Sequence, residues 1–203
     1  CLCAAVIGTL GAYGMTKARL RTKGAVEYIS TLPIMIPEII LGMVFMAFFS
    51  LIGIPFGMGT LVLAHTAFCI PYIFMLVKAR LVGMDPSLAE AALDLGASPQ
   101  RVFFDITLPL VTPAILSGML LAFAMSIDDV IISVFVTGVD TNTLPVKIYT
   151  QLKTGVTPEI NALCTLLFGA VLVLCGLAVW LGRTPKNKQA AGENPQPAKN
   201  NRR

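Results

Sequence analysis

Long apolar runs broken by short polar stretches fill the chain from residue 1 to about residue 181; the runs lie at 1–15, 26–52, 60–82, 110–136 and 160–181. A helix needs about 20 residues to cross roughly 30 Å of hydrocarbon, so the last four runs are long enough and the first is not. A lone strand in lipid leaves its N–H and C=O groups unsatisfied, so each run is expected to be a helix. The pattern predicts an all-α, polytopic transmembrane helix bundle over residues 1–182, with polar connections at 16–25, 53–59, 83–109 and 137–159. The first run is expected to be the end of a longer helix, which makes the sequence an N-terminally truncated one.

Composition strengthens this reading. Of the 203 residues, 56% are hydrophobic and 13% charged, and the mean hydropathy of +0.79 lies outside the range of soluble globular domains. Cys1, Cys3, Cys69, Cys164 and Cys175 sit in apolar runs without disulfide or zinc spacing, and read as small buried hydrophobes. The opening apolar run has no basic flank and no small-residue cleavage pattern, so it does not read as a signal peptide.

Charge placement orients the spans. Lys17, Arg19, Arg21 and Lys23 fill the first connection, Lys78, Arg80 and Arg101 flank or occupy the third, and six Lys or Arg residues from Arg183 to Arg203 fill the end of the chain. Lys147 and Lys153 fall on the opposite side. The positive-inside rule then puts the first connection, residues 83–109 and the C-terminus in the cytoplasm. Residues 183–203, rich in Pro, Asn and Lys, carry too little apolar surface to order themselves and read as a disordered basic tail.

The segment 83–109 contains GMDPSLAEAALDLGASPQRVFFDITLP. Asp85 and Pro86 form a helix-start pair, good helix formers follow, and Gly96 ends the helix. Ser98 and Pro99 start a second helix, and Pro109 marks the approach to the next span. Leu88, Ala91, Ala92 and Leu95 make one face of the first helix, with Glu90 and Asp94 on another. Such an amphipathic hairpin suits a partner groove. The alternative is a helix resting on lipid headgroups, against which stand acids unaccompanied by lysine, since surface-lying helices tend to be basic.

At this point the sequence resembles the permease subunits of ABC-type importers. Glu90, Ala91, Ala92, Gly96, Ile106, Leu108 and Pro109 match the EAA loop, E-A-A-x3-G-x9-I-x-L-P, of that family. The resemblance implies a type I ABC importer permease fold with about five of six spans present. It also implies that the loop is a coupling helix docking on a separate ATP-binding ABC subunit dimer, which carries the ATP and Mg. No G-x4-G-K-[ST] phosphate loop occurs, so ATP hydrolysis is not assigned to this chain; it reads as a transport subunit with no cofactor, metal or catalytic residue of its own. The further partners implied are a second homologous permease, an extracytoplasmic substrate-binding protein and membrane lipid, with no nucleic acid. The expected location is the bacterial inner membrane.

Three acids fall inside apolar runs: Glu38, Asp128 and Asp129. Each costs about 2.5 to 3.5 kcal/mol at a lipid-facing helix centre, so they are expected to face the bundle interior or a wet path. Counted along continuous helices, Glu38 lies roughly 16 Å in and Asp128 roughly 24 Å in. No basic residue within the spans neutralises them, which favours a cationic substrate. The alternatives are that Glu38 bonds backbone freed by Pro33 and Pro37, and that one aspartate reaches the outer interface. Adjacent helical residues diverge by about 100°, so Asp128 and Asp129 cannot both face one point.

From about Leu32 to Leu163 the chain is similar to spermidine/putrescine importer permeases, most visibly in SIDDVIISVFVTG, LPVKIY and GVTPEINAL. Polyamines are flexible polycations, which acids with Phe135 and Tyr149 nearby would suit through charge pairing and cation–π contact. The aromatic residues serve equally as packing or interface anchors. An EAA-type permease for ferric ion or an organophosphonate is the rival reading. An intramembrane aspartyl protease needs aspartates from different helices, which adjacent ones do not supply. The only histidine, His65, reads as an interhelical hydrogen-bonding residue.

Overall fold

The computed structural model describes residues 1–17, 23–139, 141–155 and 157–182, and among them every regular element is helical. The elements are α1 (Leu2–Lys17), α2 (Lys23–Met35), α3 (Glu38–Leu51), α4 (Met58–Val82), α5 (Ser87–Asp94) and α6 (Pro99–Arg101). A π-helical turn (Val102–Thr107) follows, then α7 (Leu108–Ile127), α8 (Ile131–Val136), α9 (Leu144–Thr154) and α10 (Pro158–Gly182). Packing divides the chain into two units, Cys1–Thr154 and Gly155–Arg203. Arg19, Arg21 and the tail 183–203, which carry much of the orientation argument, lie outside the described residues. In the second unit, α10 is a single helix over the predicted span 160–181.

The first unit is built around α4, which packs against α1, α7, α2 and α8. Small residues allow the close approach. On α1, Ala4, Gly8 and Ala12 recur every four residues and are buried together, the small-xxx-small stripe that draws membrane helices together. On α7, Gly118 and Ala122 repeat the device. Ile73 of α4, fully buried, is held between the two stripes: Cβ atoms added at Gly8 and Gly118 would lie 3.2 Å from its Cβ and 3.1 Å from its Cα. The Cys69 thiol donates to the Ala122 carbonyl at 3.5 Å, and Arg80 Nε donates to the Leu110 carbonyl at 3.2 Å, tying α4 to α7 at two levels.

Among the described residues, two helices, Met58–Val82 and Pro99–Ile127, are long and apolar enough to cross a membrane, or three spans if a bent pair counts as one. That pair corrects the expectation of one straight span at 26–52: α2 and α3 meet at 107°. Pro33 is carried inside α2, but Pro37 sits at φ −53°, ψ 132°, outside helical geometry, and α3 begins after it. Proline has no N–H to donate and biases the residue before it toward extended backbone, so two prolines one turn apart leave the second as the break. The run 110–136 is also divided. A helix covers Pro99–Ile127, and the chain then breaks at residues 128–130 before α8.

Candidate functional site

The EAA segment begins as its sequence predicts. Asp85 Oδ1 accepts the Ser87 N–H at 2.9 Å, which holds the Asp85 carboxyl below the usual carboxylate range and starts α5. At the other end the Gly96 N–H donates to the Leu93 carbonyl at 2.9 Å and the Ala97 N–H to the Ala92 carbonyl at 3.0 Å. This is the Schellman closure, which requires left-handed backbone at the residue that follows the cap. Gly96 supplies it at φ +85°, where a side chain would be strained. Ser98 Oγ then accepts the Arg101 N–H at 3.4 Å with Pro99 at the first helical position.

Ala92 is half-buried, whereas Glu90, Ala91, Gly96, Leu88, Leu93 and Leu95 are exposed. The apolar face expected on α5 therefore lies mostly open, with Leu95 89% exposed. Of the remaining EAA positions, Ile106 and Leu108 are half-buried and Pro109 is exposed. The second helix does not stop short of the following span. It runs into α7 through the π-helical turn, where the Leu108 N–H reaches the Phe103 carbonyl and Thr107 Oγ1 donates to the Val102 carbonyl at 3.3 Å. Pro109, which has no N–H to donate, immediately follows Leu108.

The acids of the spans separate into different environments. Glu38 is half-buried at the start of α3 beside the Pro37 break, within electrostatic reach of the Tyr72 hydroxyl on α4, so the depth counted along one continuous helix does not apply to it. One turn on, Gly42 makes room for Phe135 of α8: an added Cβ would lie 2.6 Å from the Phe135 ring. Tyr149 is exposed on α9, where the Lys153 ammonium lies 4.6 Å from its ring centre.

Asp128 is exposed at the end of α7, while Asp129 is buried. Asp129 Oδ1 accepts the Ile132 N–H at 3.1 Å, and Oδ2 accepts the Ser133 N–H and the Ser133 hydroxyl, both at 2.8 Å. The carboxylate thus caps the first turn of α8. His65 of α4 completes the cluster, with Nε2 3.0 Å from Ser133 Oγ and 3.3 Å from Asp129 Oδ2, and Nδ1 2.8 Å from Ser126 Oγ. With a proton on Nε2 the ring donates toward Ser133 and Asp129, while Nδ1 pairs with the Ser126 hydroxyl. The interhelical role expected of His65 is what the structure contains; that it joins Asp129 is visible only in three dimensions. A second buried contact holds the far end of α8, where Thr60 Oγ1 donates to the Val136 carbonyl at 2.8 Å.

Comparison with known proteins identifies the lineage. The putrescine transport system permease protein PotI of Escherichia coli strain K12 is 42% identical over 193 residues, covering 92% of this chain and 68% of that protein. The spermidine/putrescine transport system permease protein PotC of Haemophilus influenzae is 42% identical over 180 residues, covering 89% and 70%. PotC of Escherichia coli strain K12 is 41% identical over 171 residues, covering 84% and 65%. Residues 4–183 match the family described as "Binding-protein-dependent transport system inner membrane component". The chain is a multi-pass membrane protein and belongs to that family of transport permeases.

Proposed function

We propose that the chain is the permease subunit of an ATP-driven importer of polyamines, forming half of a membrane path for spermidine or putrescine. The observation that carries the reading is the 41–42% identity to permeases named for putrescine and spermidine/putrescine. Acids in apolar runs and the absence of a neutralising base beside Glu38 or Asp128 among the described residues agree with a cationic cargo.

In this reading the open apolar face and acids of α5 dock in a groove on an ATP-binding subunit, with Glu90, Ala91, Ala92, Gly96, Ile106, Leu108 and Pro109 shaping the hairpin. ATP and Mg belong to that subunit, and this chain holds neither a cofactor nor a catalytic group. A second homologous permease supplies the other half of the path, and an extracytoplasmic binding protein delivers cargo. The EAA segment and the tail 183–203 face the cytoplasm of a bacterial inner membrane. Closure of the ATPase dimer moves α5, and a rigid-body rotation of the spans opens the path outward. Glu38, one member of the Asp128–Asp129 pair and Phe135 line the cation's route, with Tyr149 near its outer end.

The test reconstitutes the complex with its ATPase, partner permease and binding protein, and measures uptake of labelled spermidine and putrescine. Polyamine-dependent uptake that falls in Glu38→Gln and Asp128→Asn supports the reading. Uptake of ferric ion or an organophosphonate in place of polyamine, or full polyamine uptake in both variants, overturns it.

A further inference from the structure

The two adjacent aspartates have opposite surroundings, and the difference assigns them different work. Asp129 is 7% exposed, and four hydrogen-bonding contacts occupy its two oxygens: two backbone N–H groups, the Ser133 hydroxyl and His65 Nε2. A carboxylate so engaged gains little from a passing ammonium, which would have to displace helix-capping bonds to reach it. Asp128 is exposed, and its carboxylate makes no hydrogen bond or ion pair among the described residues. The break between α7 and α8 separates the pair: Asp129 is drawn into the protein while Asp128, at the end of α7, stays exposed.

The cluster also ties down the element that follows. His65 bridges Ser126 at the end of α7 and Ser133 in α8, so one imidazole spans the helix break on both sides. Thr60, five residues earlier on α4, holds the last carbonyl of α8. With both ends fixed to α4, α8 presses Phe135 against Gly42, one turn beyond Glu38.

We infer that His65 and Asp129 are positioning residues that hold the α7–α8 break, and that of the aspartate pair only Asp128 meets the transported cation. The inference rests on the cation-transport reading above and specifies which groups of that site touch cargo. His65, which lies more than sixty positions from the acidic pair, is thereby joined to the path without lining it.

A binding protein sets the apparent affinity for free polyamine, so the informative quantity is the ratio of maximal spermidine to putrescine uptake by the reconstituted complex. Spermidine carries one more positive charge than putrescine. A carboxylate that contacts cargo therefore biases the ratio, whereas a structural defect slows both substrates alike. Asp128→Asn is expected to shift the ratio about threefold or more, a modest part of the contribution of a charge-assisted hydrogen bond. Asp129→Asn and His65→Gln are expected to lower both rates with the ratio unchanged.

Thermal unfolding of the assembled complex gives a measurement independent of cargo. His65→Gln and Asp129→Asn should each lower the midpoint, the double variant should fall no further than the worse single one, and Asp128→Asn should leave it unchanged. Additive losses from His65 and Asp129, or a ratio shift in Asp129→Asn matching that in Asp128→Asn, overturn the inference. Wild-type complex that ignores polyamines defeats the transport reading itself, and the unfolding arm still decides whether His65 anchors Asp129.

Discussion

The sharpest test of the packing compares two glycines on one helix. Gly8 and Gly14 both lie within α1, so replacing either with alanine brings a similar gain in helix propensity, about 0.5–1 kcal/mol. They differ in what a new methyl meets. At Gly8 it would lie 3.2 Å from the Ile70 carbonyl oxygen, the Ile73 Cβ and the Phe74 backbone nitrogen; at Gly14 nothing lies within 4 Å. Two of the three neighbours at Gly8 are backbone atoms of α4, which cannot turn aside, so α1 must move outward and loosen its contact. Overpacking of this kind costs about 1–3 kcal/mol. Because the propensity gain is common to both, the difference between the variants isolates that cost. For a chain of this size it corresponds to a gap of about 2–12 °C in the unfolding midpoint, Gly14→Ala melting higher. The assay is thermal unfolding of the detergent-purified protein followed by tryptophan fluorescence or by aggregation. Equal midpoints would refute the close approach of α1 and α4.

Other predictions address different levels of the structure. Gly96→Ala places a side chain in left-handed backbone, at a cost of about 1–2 kcal/mol, and should reduce cargo-dependent ATPase activity of the reconstituted complex while membrane insertion is retained; unchanged coupling would argue against the Schellman closure as the shaping element. The Asp85 carboxyl is held below its ordinary value by the Ser87 N–H, so the cap is intact above the unfolded pKa of about 3.9 and is lost as pH falls through the lower folded value. Hydrogen exchange at the first amides of α5 should accelerate on that acidification, and at neutral pH in Asp85→Ala. The Lys78–Glu27 pair, at 2.7 Å but partly exposed on both sides, should contribute less than about 1 kcal/mol, so Lys78→Gln is expected to leave the unfolding midpoint nearly unchanged.

What could be read from the sequence follows the range of the forces involved. The start of α5 at Asp85 and Pro86, its stop at Gly96 and the restart at Ser98 and Pro99 depend on neighbours within a few residues, and the motif displays them directly. The apolar runs likewise located the helices, since hydropathy needs no partner. Breaks were harder. Pro33 and Pro37 look alike in sequence, yet one stays inside α2 and the other ends it, and the resulting 107° bend depends on what the freed segment packs against. The pairing of His65 with Asp129 joins residues more than sixty positions apart, and neither carries a local sign of the other. The π-helical turn leaves no pattern beyond the proline that follows it.

That turn has a mechanical consequence. Because it passes α6 into α7 without interruption, Pro99–Ile127 is a single strut of 29 residues, about 43 Å at 1.5 Å per residue. A tilt of about 5° about one end carries the other roughly 4 Å, with Asp128 immediately beyond that far end. A strut cannot tell its ends which is the cause. If docking at the loop end favours one tilt, a cation held at the Asp128 end in that tilt must strengthen docking by the same factor, since linkage between two binding events is reciprocal. Under the proposed function, cargo in the path is then itself a ligand that adjusts the grip on the ATPase.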